Sequence, residues 1–343
     1  MNRKKILIGM LAAGLAVPTL VAADWTIYGR ANVSVDFLDD GKDFSELDLV
    51  SRSSRLGFKG EREWRDQLVG IFQVEQQIDF DSDEGETFTT RDTFVGFKGS
   101  DWGMLRVGRF DTPFKRARGP VNYFGDQVGD MRNITRTRQH GRFDERFRNS
   151  IHYRTPSFGG VTWDVQYSTD RDNQDTVADA DDGFSTALNF KQGGFTGALA
   201  YEQQRNEETD NVDAVRLALA YKVTPTLEVG ALYQNTEADG RDEADTFGVA
   251  AQYQFAPNWY VRGQAFLLDS DAQDSDATLF AVGLERRIDK DLRIQLNLGM
   301  MDNDDNSALT PWAEGGGPSA SGDDRDATGE TAMALQLGIR YDF

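Results

Sequence analysis

The chain has 343 residues, a formal net charge of −20, no cysteine, two histidines, and 22 Phe, 10 Tyr and 6 Trp. Without cysteine there is no disulfide scaffold, cysteine nucleophile or thiolate metal site, and two histidines are too few for a histidine-rich metal centre. The acidic balance argues against nucleic acid as a partner, because phosphate contacts need Lys and Arg in excess.

Arg3, Lys4 and Lys5 precede an apolar stretch from Ile6 to Val17, then Pro18 and the small-residue run Val21-Ala22-Ala23. A positive start, a short apolar centre and small residues before a cut site predict a signal peptide over residues 1–23, with Asp24 opening the mature chain. No other stretch approaches the ~18 apolar residues of a transmembrane helix, so any membrane span must be made of strands.

From Trp25 onward the apolar residues recur every second position, the strand signature. Ile27, Ala31, Val33, Val35 and Phe37 alternate with Tyr28, Arg30, Asn32, Ser34 and Asp36. Leu292, Ile294, Leu296, Leu298 and Met300 alternate with Arg293, Gln295, Asn297 and Gly299, and Met333 to Phe343 behaves the same way. A soluble sandwich would also alternate. The apolar face here, however, ends repeatedly in aromatics (Tyr167, Tyr201, Tyr221, Tyr233, Tyr253, Tyr341), while Trp25, Trp163 and Trp259 stand near strand starts. Such girdles flank the apolar band of outer-membrane barrels, where an aromatic ring keeps an apolar body and a wet edge.

The connectors give the strand count. Short ones at Glu61–Asp66, Gly99–Gly103, Pro156–Gly160, Gly193-Gly194, Thr224–Thr226, Ala256–Asn258 and Asp289–Asp291 alternate with eight longer polar ones, beginning at Asp39–Ser45 and ending at Asp302–Glu330. Fifteen connectors imply sixteen strands in up-and-down order. The predicted fold is all-β: a sixteen-stranded antiparallel transmembrane β-barrel over residues 24–343, with long loops outside and water within.

One connector, Asp111–Glu145, reverses the acidic trend of the long loops. Extended to Arg148 it carries nine bases against five acids, and it holds apolar anchors at Phe114, Val121, Tyr123, Phe124, Val128, Met131 and Ile134. Loops of this length are functional or disordered. The alternatives are an external flap, or a loop folded into the lumen whose packed side meets the wall and whose charges narrow the pore.

Several segments resemble the general porins of Gram-negative bacteria: Ile27-Tyr28-Gly29-Arg30, Ser53-Ser54-Arg55-Leu56-Gly57-Phe58-Lys59-Gly60, Arg91 with Phe94-Val95-Gly96-Phe97, Gly103 to Arg109, Asn149 to Pro156, and Tyr341-Asp342-Phe343. The resemblance implies a homotrimer that passes small hydrophilic solutes and ions, with residues 111–145 as the inward constriction loop. It places wall cations at Arg30, Arg55, Arg91 and Arg146, facing loop acids Asp126 and Asp130. It also implies that Phe343 is the terminal aromatic read by the assembly machinery. The loop has Tyr123-Phe124-Gly125-Asp126 where enterobacterial members carry a Pro-Glu-Phe-Gly-Gly run, and extra arginines surround it.

Acids opposite arginines set a field across a partly desolvated neck, which dipolar solutes can follow and apolar ones enter only by displacing bound water. No bond is made, so the reading is a channel rather than an enzyme, with no cofactor and no metal site. Asp179-Ala180-Asp181-Asp182-Gly183 lacks the spacing and closing Glu of an EF-hand. Outer-membrane lipid and lipopolysaccharide, bridged by divalent cations at the acidic rim, are the expected surroundings. The alternative function is a substrate-selective channel for an anion or an oligosaccharide.

Overall fold

A computed structural model describes residues 24–81, 88–136, 143–171, 181–205, 211–240, 242–315, 321–322 and 325–343. The segment expected to be a signal peptide lies outside these residues, as do 172–180 and 316–320. Sixteen antiparallel strands follow one another in chain order. They are β1 (Asp24–Asp39), β2 (Ser45–Ser51 continued by Arg55–Arg65), β3 (Leu68–Ile78), β4 (Phe88–Thr90 continued by Thr93–Gly99), β5 (Gly103–Asp111), β6 (Arg146–Arg154), β7 (Val161–Ser168) and β8 (Gly183–Gln192). They continue as β9 (Phe195–Gln204), β10 (Val212–Lys222), β11 (Leu227–Ala238), β12 (Ala244–Ala256), β13 (Trp259–Ser270), β14 (Ala277–Arg287), β15 (Leu292–Asn303) and β16 (Thr331–Asp342).

Each strand pairs with its neighbour, and β16 returns to β1 with Arg30 opposite Asp342 and Asp39 opposite Met333. The sheet therefore closes and leaves no free edge, the condition for strands in hydrocarbon. At the seam Gly29 and Phe343 exchange backbone hydrogen bonds of 2.8 and 3.0 Å. A side chain at Gly29 would strike the Phe343 ring, so closure at that spot requires glycine.

The alternation read from the sequence is the inside–outside alternation of the wall. Leu337 is 58% exposed and Gln336 beside it 1%. The apolar rows face outward and the polar rows inward, the reverse of a soluble protein and the pattern of a lipid-facing barrel. The burial of apolar side chains is instead concentrated where loop residues meet the wall. Val121, Val128, Met131 and Ile134 cluster with Leu232, Phe266, Leu279 and Trp312, and Phe114, Ala117 and Phe143 with alanines of β8–β11.

Three details depart from the sequence reading. The connector expected at Glu61–Asp66 is only the turn Asp66-Gln67, because β2 continues to Arg65 and pairs Glu61, Arg62 and Glu63 with Ile71, Gly70 and Val69. Charged residues suit a strand end that leaves the apolar band, and Trp64 meets Phe97 edge-on at 5.6 Å there. Second, β2 is interrupted at Arg52–Ser54, just before the candidate Arg55, and β4 at Arg91-Asp92, which includes the candidate Arg91. Third, the register between β5 and β6 slips, with Gly108 opposite Ser150 but Phe110 opposite Phe147. A strict period of two would keep Arg146, Arg148, Ser150, His152 and Arg154 on one face, and the slip breaks that row.

Candidate functional site

The long connector after β5 is ordered by short elements. Thr112 caps a one-turn helix α1 (Pro113–Ala117), its hydroxyl accepting from Lys115 N at 3.1 Å, with Pro113 at the first helical position. A second short helix, α2, spans Arg132–Thr135. Between them Asp126 adopts φ 59°, a left-handed conformation that Asp tolerates.

Bonds to polar-row side chains hold this segment. Arg216 of β10 grips Asp144 through two bonds of 2.6 and 3.0 Å and also reaches the Phe114 carbonyl at 3.2 Å. Gln234 donates to the Thr135 carbonyl, Arg262 to the Tyr123 carbonyl and Gln264 to the Gly129 carbonyl, while Gln336 accepts from Val128 N. The last long loop adds a clasp that sequence reasoning missed. Gly129 N donates to the Pro311 carbonyl at 2.7 Å, and Arg136 pairs with Glu314 at 2.5 Å. Nothing in the acidic composition of residues 302–330 signals that contact.

The candidate charges assemble around Asp126. Its carboxylate lies 3.8 Å from Arg30, 3.9 Å from Arg55 and 3.0 Å from Arg132, and Ser53 in the β2 interruption donates to it at 3.2 Å. Burial opposes its ionisation, but Arg132, then Arg55 and Arg91, outweigh that cost and hold the carboxyl well below the usual carboxylate range. Asp130 stands differently. It is fully buried, accepts from Asp126 N at 2.7 Å and Arg132 N at 2.9 Å, and pairs with the Arg132 side chain at 2.7 Å. It shapes the turn that presents Asp126.

Arg91 bonds Glu75 at 2.8 Å, and Glu75 also lies 3.6 Å from Arg55 and accepts from the Tyr28 hydroxyl. Arg30 is shared with Asp342 at 2.7 Å. Arg146 sits apart from the Asp126 group, bonded to Asp92 at 2.8 Å and to Asp111 at 3.0 Å near the loop root. Glu75, Asp92 and Asp342 were missed by the sequence reading, although Glu75 lies on the same polar row as Gln73 and Gln77. His152 is buried in the wall. Arg106 donates to its Nδ1 at 3.2 Å, and its Nε2 faces Asp164 at 2.8 Å. Phe124, one of the apolar anchors, is also buried, under the Arg262 guanidinium 4.9 Å from the ring. Among the described residues no cluster of metal-ligating side chains occurs.

A closed barrel that is apolar outside, polar inside and lined by opposed charges is a transmembrane channel. The family model for Gram-negative porins matches residues 10–306, and the chain belongs to that family. It is 27% identical over 248 residues to the major outer membrane protein P.IB of Neisseria meningitidis serogroup A, covering 70% of this chain and 71% of that one. The Neisseria gonorrhoeae protein of the same name is 28% identical over 272 residues, 76% of this chain and 74% of its own. Among solved structures, an anion-selective porin from Comamonas acidovorans superposes with TM-score 0.78 at 22% identity, covering 94% of this chain and 100% of the other. The trimer form of OmpT from Vibrio cholerae superposes with TM-score 0.68 at 17% identity, with coverage of 94% and 100%. The chain is an outer-membrane porin, a water-filled channel for passive diffusion of small hydrophilic solutes and ions.

Proposed function

We propose that residues 111–145 fold into the lumen as the constriction of this channel, with Arg30, Arg55 and Arg91 on the wall and Asp126 on the loop defining its narrowest zone. The observation that carries this reading is Asp126 lying 3.8 and 3.9 Å from Arg30 and Arg55, guanidiniums that come from strands far from it in sequence. Asp130 acts by holding Asp126 in place, and Arg146 contributes at the loop root. Arg30, Arg55, Arg91 and Arg132 meet Asp126, Glu75, Asp130 and Asp342 around this point, a near balance that supports only a weak ionic preference. A dedicated anion or oligosaccharide site is the second reading, favoured by the gathering of Arg30, Arg55 and Arg132 about one carboxylate.

The protein works as a homotrimer among outer-membrane lipid and lipopolysaccharide, a reading supported by the trimeric form of one structural neighbour. No cofactor and no catalytic residue enters the mechanism. Single-channel recording in planar bilayers tests it: large, ohmic steps in multiples of three, unblocked by sugars or phosphate, support the diffusion pore. Saturable block by one solute would instead establish the selective channel.

A further inference from the structure

The long connector meets the wall at two places with opposite polarity. Asp126 brings a carboxylate to Arg30 and Arg55 of β1 and β2. Arg116, in α1, brings a guanidinium to Asp92 in the interruption of β4, 3.5 Å from its Oδ2. Glu75 of β3 and Arg91 of β4, bonded to each other at 2.8 Å, stand on the wall between these contacts. Loop and wall thus exchange signs from one end of this arc to the other, and the field between them reverses.

Arg116 is more than a strut at the loop root. Asp92 is shared: its Oδ1 accepts from Arg146 at 2.8 Å and from the Asp111 N–H at 3.2 Å, so the more distant Arg116 is only partly compensated. The Arg116 side chain keeps 32% of its surface open against 14% for Asp92, so a passing ion reaches the guanidinium more readily than the carboxylate. Arg116 also borders a hollow of 610 Å³ with Arg154, Asn189, Lys191, Thr196 and Glu228, on the side of the short turn that holds Ser157 and Gly160. A charge at the edge of open water acts on ions within about a Debye length, roughly 8 Å at physiological salt.

We propose that Arg116 is a second selectivity-determining residue of this channel, a loop cation that attracts small anions at the β4 end of the neck while Asp126 repels them at the β1–β2 end. This rests on the reading of residues 111–145 as the neck. The weak ionic preference then arises from two opposed contributions on one loop.

Reversal potentials across a tenfold KCl gradient would be read in planar bilayers for the intact wild-type protein, Arg116→Gln, Arg116→Lys and Asp126→Asn, with thermal unfolding midpoints from the same preparations. Arg116→Gln should move the cation-to-anion permeability ratio about threefold toward cations, less than the opposite shift of Asp126→Asn because the more open side chain is screened more by salt. Its midpoint should stay near wild type, since a half-open ion pair at 3.5 Å adds little stability. Arg116→Lys, which restores the charge without the planar fork, should recover most of the shift. A wild-type potential in Arg116→Gln beside a shifted Asp126→Asn overturns the proposal and leaves the constriction reading standing, and a lowered midpoint in that case makes Arg116 a strut. Equal shifts in the Gln and Lys variants make shape the cause in place of charge and also overturn it. Wild-type potentials in both Arg116→Gln and Asp126→Asn overturn the constriction reading, and this proposal with it.

Discussion

Replacing Asp126 by Asn removes the one loop carboxylate that meets two wall guanidiniums, and it leaves the backbone undisturbed because Asn adopts φ near 60° as readily as Asp. An ion passing roughly 6 Å from that charge would feel about 3 kcal/mol at an effective dielectric near 20. The Asp126 side chain keeps 21% of its surface exposed, and salt at physiological strength screens over ~8 Å, which reduces the effect to about 1 kcal/mol. That is roughly a fivefold shift in the cation-to-anion permeability ratio toward anions. Reversal potentials across a tenfold KCl gradient measure it. The shift should appear with nearly unchanged single-channel conductance. An unchanged reversal potential refutes the assignment of Asp126 to the neck, and neutralising Arg30 and Arg55 together must move the potential in the opposite direction.

Arg216→Met takes from the buried Asp144 its two-bond partner and leaves only Arg118 at 3.3 Å, which costs about 1–3 kcal/mol and loosens the loop root; open-channel noise and a lower thermal unfolding midpoint should report it. Asp130→Asn weakens three bonds at the turn and should alter conductance together with stability, separating it from Asp126→Asn, which alters selectivity alone. Burial pulls the Lys115 ammonium in α1 down to about 8, against the Asp111 carboxylate that favours its charge. With the folded value below the unfolded one, the unfolded chain holds the extra proton between pH ~8 and ~10.4, so this group's contribution makes stability rise with pH across that window, and Lys115→Met should abolish that rise in thermal melts. Gly96→Ala places a Cβ 2.3 Å from the Leu105 carbonyl and 2.7 Å from Arg106 Cα, so the β4–β5 pair must shift; a loss of about 1–3 kcal/mol is expected in urea unfolding of the refolded protein.

The strand count and the facing of each row were legible because a barrel wall imposes a strict period of two and its turns are chemically marked. Boundaries drifted where charge was mistaken for turn, as at Glu61–Arg65, since a strand may run past the apolar band with its charges solvated. The slip that breaks the row from Arg148 to Ser150 leaves no mark in composition, so a strict period of two does not reveal it. Of the seven apolar anchors, Phe114, Val121, Phe124, Val128, Met131 and Ile134 are buried, while Tyr123 is half-buried with its hydroxyl donating to Glu228. What could not be read was partnership. Arg30 sharing itself between Asp126 and Asp342, or Glu314 reaching Arg136, depends on contacts between residues up to 312 positions apart. Asp130 looked equivalent to Asp126 by type and spacing, and only the fold separates the buried carboxylate from the half-open one.

Side chains of β10, β11, β13 and β16 tether the long connector, whereas the wall guanidiniums nearest Asp126 come from β1 and β2. Mechanical support and electrical character thus reside on different arcs of the same cylinder. Residues on the first few staves can be recharged, neutralised or exchanged to retune which ions cross, while the scaffold that keeps the throat in shape is left intact.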